Sequence, residues 1–185
     1  MASMPMIAMR SLRTVLGMPW ADRMAVLEAA VLCGWAQLLL RRPFKDLAPR
    51  LGVLGQESAA IDLLAEKRHA ALRVQRAISR AARCMPWDCK CVVQAIVART
   101  MLDRRGIDGT LYLGVKRGGA QGIEAHAWIR TGMWLITGGH DTFSYSPVSA
   151  FAFGAQDDDR PRNRWSPQSH TSSDVVSHDS PSAMH

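Results

Sequence analysis

The chain of 185 residues is short of cysteine, of aromatic residues and of long apolar runs. Four unevenly spaced cysteines are too few for a disulfide scaffold, which excludes that class of small secreted protein. The most apolar stretch, residues 24–40, is slightly too short to span a bilayer and is interrupted by Glu28 and Gln37, so we expect a buried or partner-docking helix there. No N-terminal segment resembles a secretion signal, and we expect a cytoplasmic protein without a transmembrane span. A glycine-rich phosphate-binding loop is also missing, and we expect no cofactor.

The sequence does contain enough apolar residues for a core, together with an excess of positive charge. Hydrophobic residues make up 48 %, which excludes wholesale disorder. The net charge is +7, and because residues 154–185 hold five aspartates and three arginines, the preceding residues carry +9. Such a basic body suits an anionic partner, or it simply keeps the protein soluble. Since the apolar pattern stops at Gly154, we expect one domain over residues 1–153 and a disordered tail over 154–185.

Hydrophobic periodicity predicts three helices in the first part of the domain. The first covers residues 24–40, before Pro43 ends the pattern. The second runs from about Ser58, a predicted N-cap, to Arg83 and carries several arginines on its other faces. The third begins with Asp88 as its N-cap and ends before Gly106. We therefore expect an N-terminal helical region over residues 1–50 and a core over residues 51–153.

The apolar period then changes from that of a helix to that of a strand. Residues 110–116, 123–130 and 133–137 alternate, and glycine-containing turns separate them. These features predict consecutive antiparallel strands. The fold class is therefore α+β, with N-terminal helices and a further helix packed on a small antiparallel sheet.

A cysteine at a helix start and a histidine in a following strand form the most informative pair. Cys89 and Cys91 both fall in the first turn of the third predicted helix, where free N–H groups and the helix dipole stabilise a thiolate. Cys91 shares its face with Ala95, Ala98 and Leu102, so it is the better nucleophile candidate. His126 lies mid-strand on the face opposite Ile123, Ala125, Ala127 and Ile129. If that face meets the cysteine helix, His126 is positioned to deprotonate Cys91.

Two other interpretations of these residues remain open. A cysteine in a helix is usually a small buried hydrophobe, and a strand histidine is usually only hydrogen-bonded. A metal site is the second alternative, because Cys84, Cys89 and Cys91 with His126 or His140 could supply four ligands. The spacing of the three cysteines matches no common zinc motif.

Several segments, in this order, resemble a known family. The similarity lies in residues 91–107 (CVVQAIVARTMLDRRGI), 111–115 (LYLGV), 125–130 (AHAWIR), 137–139 (TGG) and 19–24 (PWADRM). Together they resemble the transglutaminase-like cysteine proteases of lasso-peptide biosynthesis, and most closely the B-type leader protease in its split, protease-only form. The resemblance covers roughly residues 10–153 and rests on order and spacing rather than on one motif. It implies a papain/transglutaminase-like core.

The resemblance implies a role for each site residue. Cys91 takes the nucleophile role and His126 the general base. Family members usually have an acidic residue about twelve positions after the histidine, but Gly138 stands at that position. Asp141 is the nearest carboxylate and the candidate third catalytic residue, while His140 and Thr137 are substitutes and a Cys–His dyad would need none of them. Glu124 shares the strand face of His126 and is expected to be a neighbour.

The resemblance also implies a substrate and partners. The expected reaction is hydrolysis of one peptide bond in a ribosomally made precursor, which separates leader from core before macrolactam closure. The expected partners are the precursor peptide, a separate leader-recognition protein and an asparagine-synthetase-like lasso cyclase. Two alternatives stay open: a transglutaminase-like acyl transferase or deamidase, and a non-catalytic basic module that binds a peptide or nucleic acid. No nucleic-acid-binding motif is visible, and we expect no nucleic acid partner.

Overall fold

Helices form the first half of the protein in the computed structural model, which describes residues 17–118, 122–154 and 163–164. Helix α1 spans Trp20–Leu39, α2 Phe44–Leu51, α3 Ala65–Cys84 and α4 Cys91–Asp103. A 3₁₀ helix spans His140–Ser144. None of the helices in the described ranges is both long and apolar enough to cross a membrane.

The strands form one five-stranded sheet and one small ribbon. They are β1 (Val53–Leu54), β2 (Gln56–Glu57), β3 (Gly109–Gly118), β4 (Gly122–Thr131), β5 (Trp134–Thr137), β6 (Ser146–Phe153) and β7 (Asn163–Arg164). The large sheet has the order β1-β6-β3-β4-β5 and is antiparallel at every pairing, while β2 pairs with β7. The predicted α+β class with three consecutive antiparallel strands is confirmed.

The two faces of the large sheet have different surroundings. Ala127 and Ile129 of β4 belong to the main core, which also contains the buried residues of all four α-helices. Trp128 lies between them in sequence but joins a smaller cluster with Tyr112 and Ala150 on the other face. The alternation expected of a strand is therefore observed, and it separates a helix-covered face from an aromatic face.

Two predicted helix starts are wrong. Helix α3 begins at Ala65 rather than near Ser58, because the N–H of Ser58 donates to Thr110 Oγ1 at 2.8 Å and its carbonyl accepts from Arg130 at 3.0 Å. These bonds hold Ser58 against the sheet, so it is not available as a cap. Helix α4 begins at Cys91 rather than after Asp88, whose carbonyl accepts from the N–H of Lys90 and from Gln37. Cys91 is therefore the first helical residue and not the third.

Other elements were not predicted. Helix α2 follows Pro43, which both ends the preceding pattern and stands at the N-cap of the next helix. Strand β6 fills the place between β1 and β3, and its last four residues are buried. In the predicted tail, residues 163–164 form β7, whereas residues 155–162 and 165–185 lie outside the described residues.

Candidate active site

Cys91 lies at the start of a helix that the core holds firmly. Its face continues through Ala95, Ala98 and Leu102, which are completely buried, and the Cys91 side chain itself is half-buried against the same core. As the first helical residue it has a backbone N–H without an intrahelical acceptor, and the structure gives it no other acceptor among the described residues. The thiol and a free N–H donor thus lie together at the positive end of the helix dipole.

Contacts from α1 fix the loop that precedes Cys91. Gln37 donates to the Asp88 carbonyl at 3.2 Å, and Cys89 Sγ donates to Cys33 Sγ at 3.4 Å. Burial, reinforced by this contact, raises the pKa of Cys33 to about 12, and burial also raises the pKa of Cys89. Both thiols are therefore protonated at neutral pH, so neither is suited to be the nucleophile.

His126 is held by a backbone carbonyl. Its Nε2 lies 2.9 Å from the carbonyl oxygen of Gly138. A carbonyl oxygen only accepts hydrogen bonds, so Nε2 carries the proton and Nδ1 is the basic nitrogen. The imidazole stacks on Tyr145 at 4.7 Å and on Trp128 at 6.0 Å between ring centroids, which fixes its plane. His126 is therefore oriented on three sides.

The first residue after β5, Gly138, must be glycine for steric reasons. Gly138 has a φ of +111°, and a Cβ there would lie 2.5 Å from Trp128 Cβ and 2.6 Å from Thr142 Oγ1. Gly139 also has a positive φ, +69°, but has open space around its Cα. Only glycine allows the backbone to pass this close to Trp128 and to present its carbonyl to His126. Gly138 is thus a site residue that reasoning from side chains alone missed, although two glycines directly after a strand were a signal for it.

No hydrogen bond joins Cys91 and His126 in the described part of the protein, and neither residue lines the groove beside Gly138. The helices pack on the Ala127 face of β4, whereas His126 lies on the face of Trp128. Gly138, whose carbonyl is hydrogen-bonded to His126, lines a groove of about 560 Å³. The same groove is lined by Gln94, one turn along the helix from Cys91, whose amide donates to the Cys89 carbonyl at 2.7 Å.

The other predicted site residues have different surroundings. Asp141 and His140 belong to the 3₁₀ helix, but their side chains lie outside what the structure describes. Thr137 Oγ1 accepts from the N–H of Ile129 at 3.1 Å. Glu124 forms an ion pair with Lys116 and accepts from the Tyr145 hydroxyl. Among these residues, none with a described side chain hydrogen-bonds to His126.

The residues of the metal alternative do not form a site in the described part of the protein. Within it, no three side chains of histidine, cysteine, aspartate or glutamate lie close enough together to share a metal ion. Cys84 is exposed at the end of α3, and Cys89 contacts Cys33 instead.

Comparison with known proteins agrees with this geometry. The sequence model of the transglutaminase-like superfamily matches residues 34–150, a range that includes Cys91, His126 and Gly138. No curated protein and no solved structure shows significant similarity to the chain. The family match covers more than half of the chain, and it agrees with a cysteine helix packed on a small antiparallel sheet. The chain therefore belongs to the transglutaminase-like superfamily.

Proposed function

We propose that the chain is a cysteine peptidase that removes the leader peptide from a ribosomally synthesised lasso-peptide precursor. Membership of the superfamily supports cysteine chemistry, and the order of the sequence motifs supports the narrower class. The observation that carries the proposal is the bond from His126 Nε2 to the Gly138 carbonyl. It leaves Nδ1 as the basic nitrogen of His126, and Gly138 lines a groove together with Gln94 of the Cys91 helix.

The proposed reaction passes through a thioester. His126 Nδ1 takes the proton of Cys91 Sγ, and the thiolate attacks the scissile carbonyl carbon. The C=O electron pair moves to the oxygen, which accepts a hydrogen bond from the backbone N–H of Cys91. The imidazolium then gives its proton to the leaving amine as the C–N bond breaks. A water molecule hydrolyses the thioester and leaves a free carboxylate on the leader.

Two groups compete for the role of orienting His126. The Gly138 carbonyl already accepts a hydrogen bond from His126. In the family that the sequence resembles, an acidic third residue has this role. Asp141 remains the carboxylate predicted from the sequence. The observed bond favours Gly138, so in our proposal Cys91 and His126 are the catalytic residues and Gly138 positions His126.

The exposed face of α1 is our proposed docking surface for a separate leader-recognition protein. It carries large apolar side chains at intervals of three or four residues, namely Trp20, Met24, Leu27, Val31, Trp35 and Leu38. Such a stripe is a typical helix-docking surface. Replacing Val31, which is 67 % exposed, by aspartate should weaken binding of that protein while leaving the fold intact. Unchanged binding would remove α1 from the interface.

The first experiment is mapped alkylation with iodoacetamide at neutral pH, followed by cleavage of a precursor mixed with the leader-recognition protein. Cys91→Ala should remove the fast-reacting thiol and abolish cleavage, and His126→Ala should slow alkylation of Cys91. Cys84→Ala is the matched control, because Cys84 is exposed and lies outside the groove lining. Cleavage by Cys91→Ala would refute the proposal. Ammonia release from glutamine without peptide fragments would instead indicate the deamidase or acyl transferase alternative.

Cleavage also gives the core peptide the new N-terminus that macrolactam closure consumes. The proposed next enzyme is the asparagine-synthetase-like lasso cyclase. The cleaved core should therefore be a substrate for cyclisation, whereas the intact precursor should not.

A further inference from the structure

A row of arginines lines one wall of the groove to which Gly138 and Gln94 also belong. Arg76, Arg80 and Arg83 of α3 lie at intervals of four and three residues and therefore on one face of the helix. Gln94 of α4 and Gly138 are also part of the lining. The arginine row thus shares a groove with one neighbour of each candidate catalytic residue, since Gly138 is hydrogen-bonded to His126 and Gln94 lies one turn along the helix from Cys91.

The charge of this row is uncompensated by the described residues. None of Arg76, Arg80 and Arg83 forms an ion pair with a carboxylate in the described ranges, and no acidic residue lines the groove. Other arginines of the helices do have partners, such as Arg73 with Asp22 and Arg99 with Asp103. Like charges one turn apart on a helix repel each other, so an anionic ligand would relieve this repulsion.

We propose that the arginine row binds acidic side chains of the peptide substrate and so selects precursors that carry alternating carboxylates beside the cleavage site. This inference rests on the proposed peptidase function, because it assigns the groove to the peptide that Cys91 cleaves. The substrate class is an extended peptide with acidic residues at alternate positions.

The spacing of the row fits such a peptide. Neighbouring arginines on one helix face are about 5–6 Å apart. Alternate side chains of an extended chain point the same way and repeat at about 6.7 Å. Three alternating carboxylates can therefore meet Arg76, Arg80 and Arg83 in turn. Guanidinium groups also form paired hydrogen bonds with a carboxylate, which an ammonium group does not do.

The groove is less suited to nucleic acid. Proteins that bind single strands combine cations with aromatic rings on which the bases stack. Among the described residues, the groove lining contains no aromatic side chain; besides two isoleucines, it contains the polar side chains of Gln75, Ser79 and Thr137. Hydrogen-bonding side chains of this type match a peptide backbone better than base faces.

The test measures binding rather than cleavage. The Cys91→Ala protein is titrated against three peptides that carry the same uncharged fluorophore: one with three glutamates at alternate positions, one with glutamines in their place, and one with three consecutive glutamates. Each partly exposed ion pair contributes up to about fivefold in affinity. We expect the alternating glutamate peptide to bind at least about tenfold more tightly than the glutamine peptide. The consecutive glutamates should bind with intermediate affinity, and added salt should reduce the difference.

The control removes the same charge elsewhere. Replacing Arg76, Arg80 and Arg83 by glutamine should abolish the preference for glutamate. Replacing Arg41, Lys45 and Arg50 by glutamine should preserve the preference for glutamate, because these residues are exposed and lie outside the groove lining. In addition, replacing the three groove arginines by glutamate should reverse the preference toward a peptide with alternating lysines. A merely structural role of these arginines would not produce that reversal.

Each outcome has one interpretation. Equal or undetectable binding of the glutamate and glutamine peptides would overturn the proposal, as would equal losses in the two triple variants. Tighter binding of a thymidine octanucleotide, lost in the groove variant, would assign the row to nucleic acid and also overturn it. The binding test uses Cys91→Ala, which lacks the proposed nucleophile, so its result does not depend on peptidase activity. A failure of the proposed peptidase function would instead be seen in the alkylation and cleavage assays.

Discussion

Replacing Gly138 by alanine tests whether a backbone carbonyl orients His126. The new Cβ would lie 2.5 Å from Trp128 Cβ and 2.6 Å from Thr142 Oγ1, so the backbone must move. A side chain at this positive φ costs about 1–2 kcal/mol, and overpacking costs about 1–3 kcal/mol more. We expect unfolding free energy to fall by about 2–5 kcal/mol, which corresponds to a Tm lower by roughly 5–15 °C.

The functional effect of Gly138→Ala follows from the displaced carbonyl. Without its acceptor, His126 Nε2 no longer fixes the tautomer that leaves Nδ1 basic. A positioned base contributes about 10²–10⁴-fold to a reaction, so alkylation of Cys91 should slow at least tenfold. Mapped iodoacetamide labelling at 25 °C measures this rate, and nitrogen NMR of the imidazole reports the tautomer.

Gly139→Ala is the matched control. Gly139 also has a positive φ, but no atom lies within 4 Å of the position of its Cβ. This variant should lose about 1–2 kcal/mol from backbone strain alone and keep the alkylation rate within about threefold. If Cys91 labels equally fast in the two variants, the Gly138 carbonyl has no part in orienting His126.

Three further predictions concern other residues. Asp141→Asn should retain cleavage within about threefold, whereas removal of an orienting carboxylate costs about 10⁴-fold in a triad. Cys33 and Cys89 should stay unlabelled at neutral pH while Cys91 labels, because burial raises the pKa of both, that of Cys33 to about 12. Glu28→Gln should cost about 1–2 kcal/mol of stability at pH 7, since Glu28 accepts from Arg105 at 2.6 Å.

The pH dependence of the Glu28 effect has a definite sign. Burial alone would raise the pKa of Glu28, but hydrogen bonds and charge from Arg105 and Arg104 outweigh it and lower the pKa below 4.5. The stabilisation that Glu28 contributes is therefore fully present above about pH 4.5, the pKa of an unperturbed glutamate. It is lost as the pH falls through the lower pKa that Glu28 has in the folded protein. Denaturation experiments between pH 7 and pH 2 should show the unfolding free energies of the wild type and Glu28→Gln converging in acid. A difference that persists in acid would contradict the ion-pair explanation.

The remaining measurements have their own controls. Cys84 is exposed and serves as the reference for an accessible thiol. If Cys33 were labelled as fast as Cys84, this would contradict the burial of Cys33. If Asp141→Asn lowered the cleavage rate more than a hundredfold, the Asp141 carboxylate rather than the Gly138 carbonyl would be the group that orients His126.

Local patterns predicted much of this fold. The alternation in β3, β4 and β5 identified three neighbouring strands, and Gly106, with its φ of +60°, ends the α4 turn as expected. Capping was less predictable, because Ser58 bonds to Thr110, a residue 52 positions away. Strand β6 contains Pro147 and small residues, and its central position depends on partners that no local window contains.

The same reasoning explains the outcome at the candidate site. Cys91 and His126 could be predicted as site residues because a helix start and a strand alternation are visible in sequence. The Gly138 carbonyl, the hydrogen-bond partner of His126, could not be predicted because every residue has a carbonyl and only its position distinguishes this one. Gly138 is distinguished by its positive φ of +111°, a backbone angle that depends on the fold and is not visible in the sequence.

The order of strands in the large sheet has a consequence for how the protein is made. Among the described residues, the one partner of strand β1 in that sheet is β6, and Val53 pairs with Ala152. At a synthesis rate of about 5–20 residues per second, β1 waits roughly 5–20 s for its partner to be made. In the last part of that interval, after β3 has been made and before β6 follows, the edge of β3 is open and can pair with another chain. The sheet that carries His126 is therefore completed only late in synthesis, and nascent chains that stop before residue 146 should aggregate.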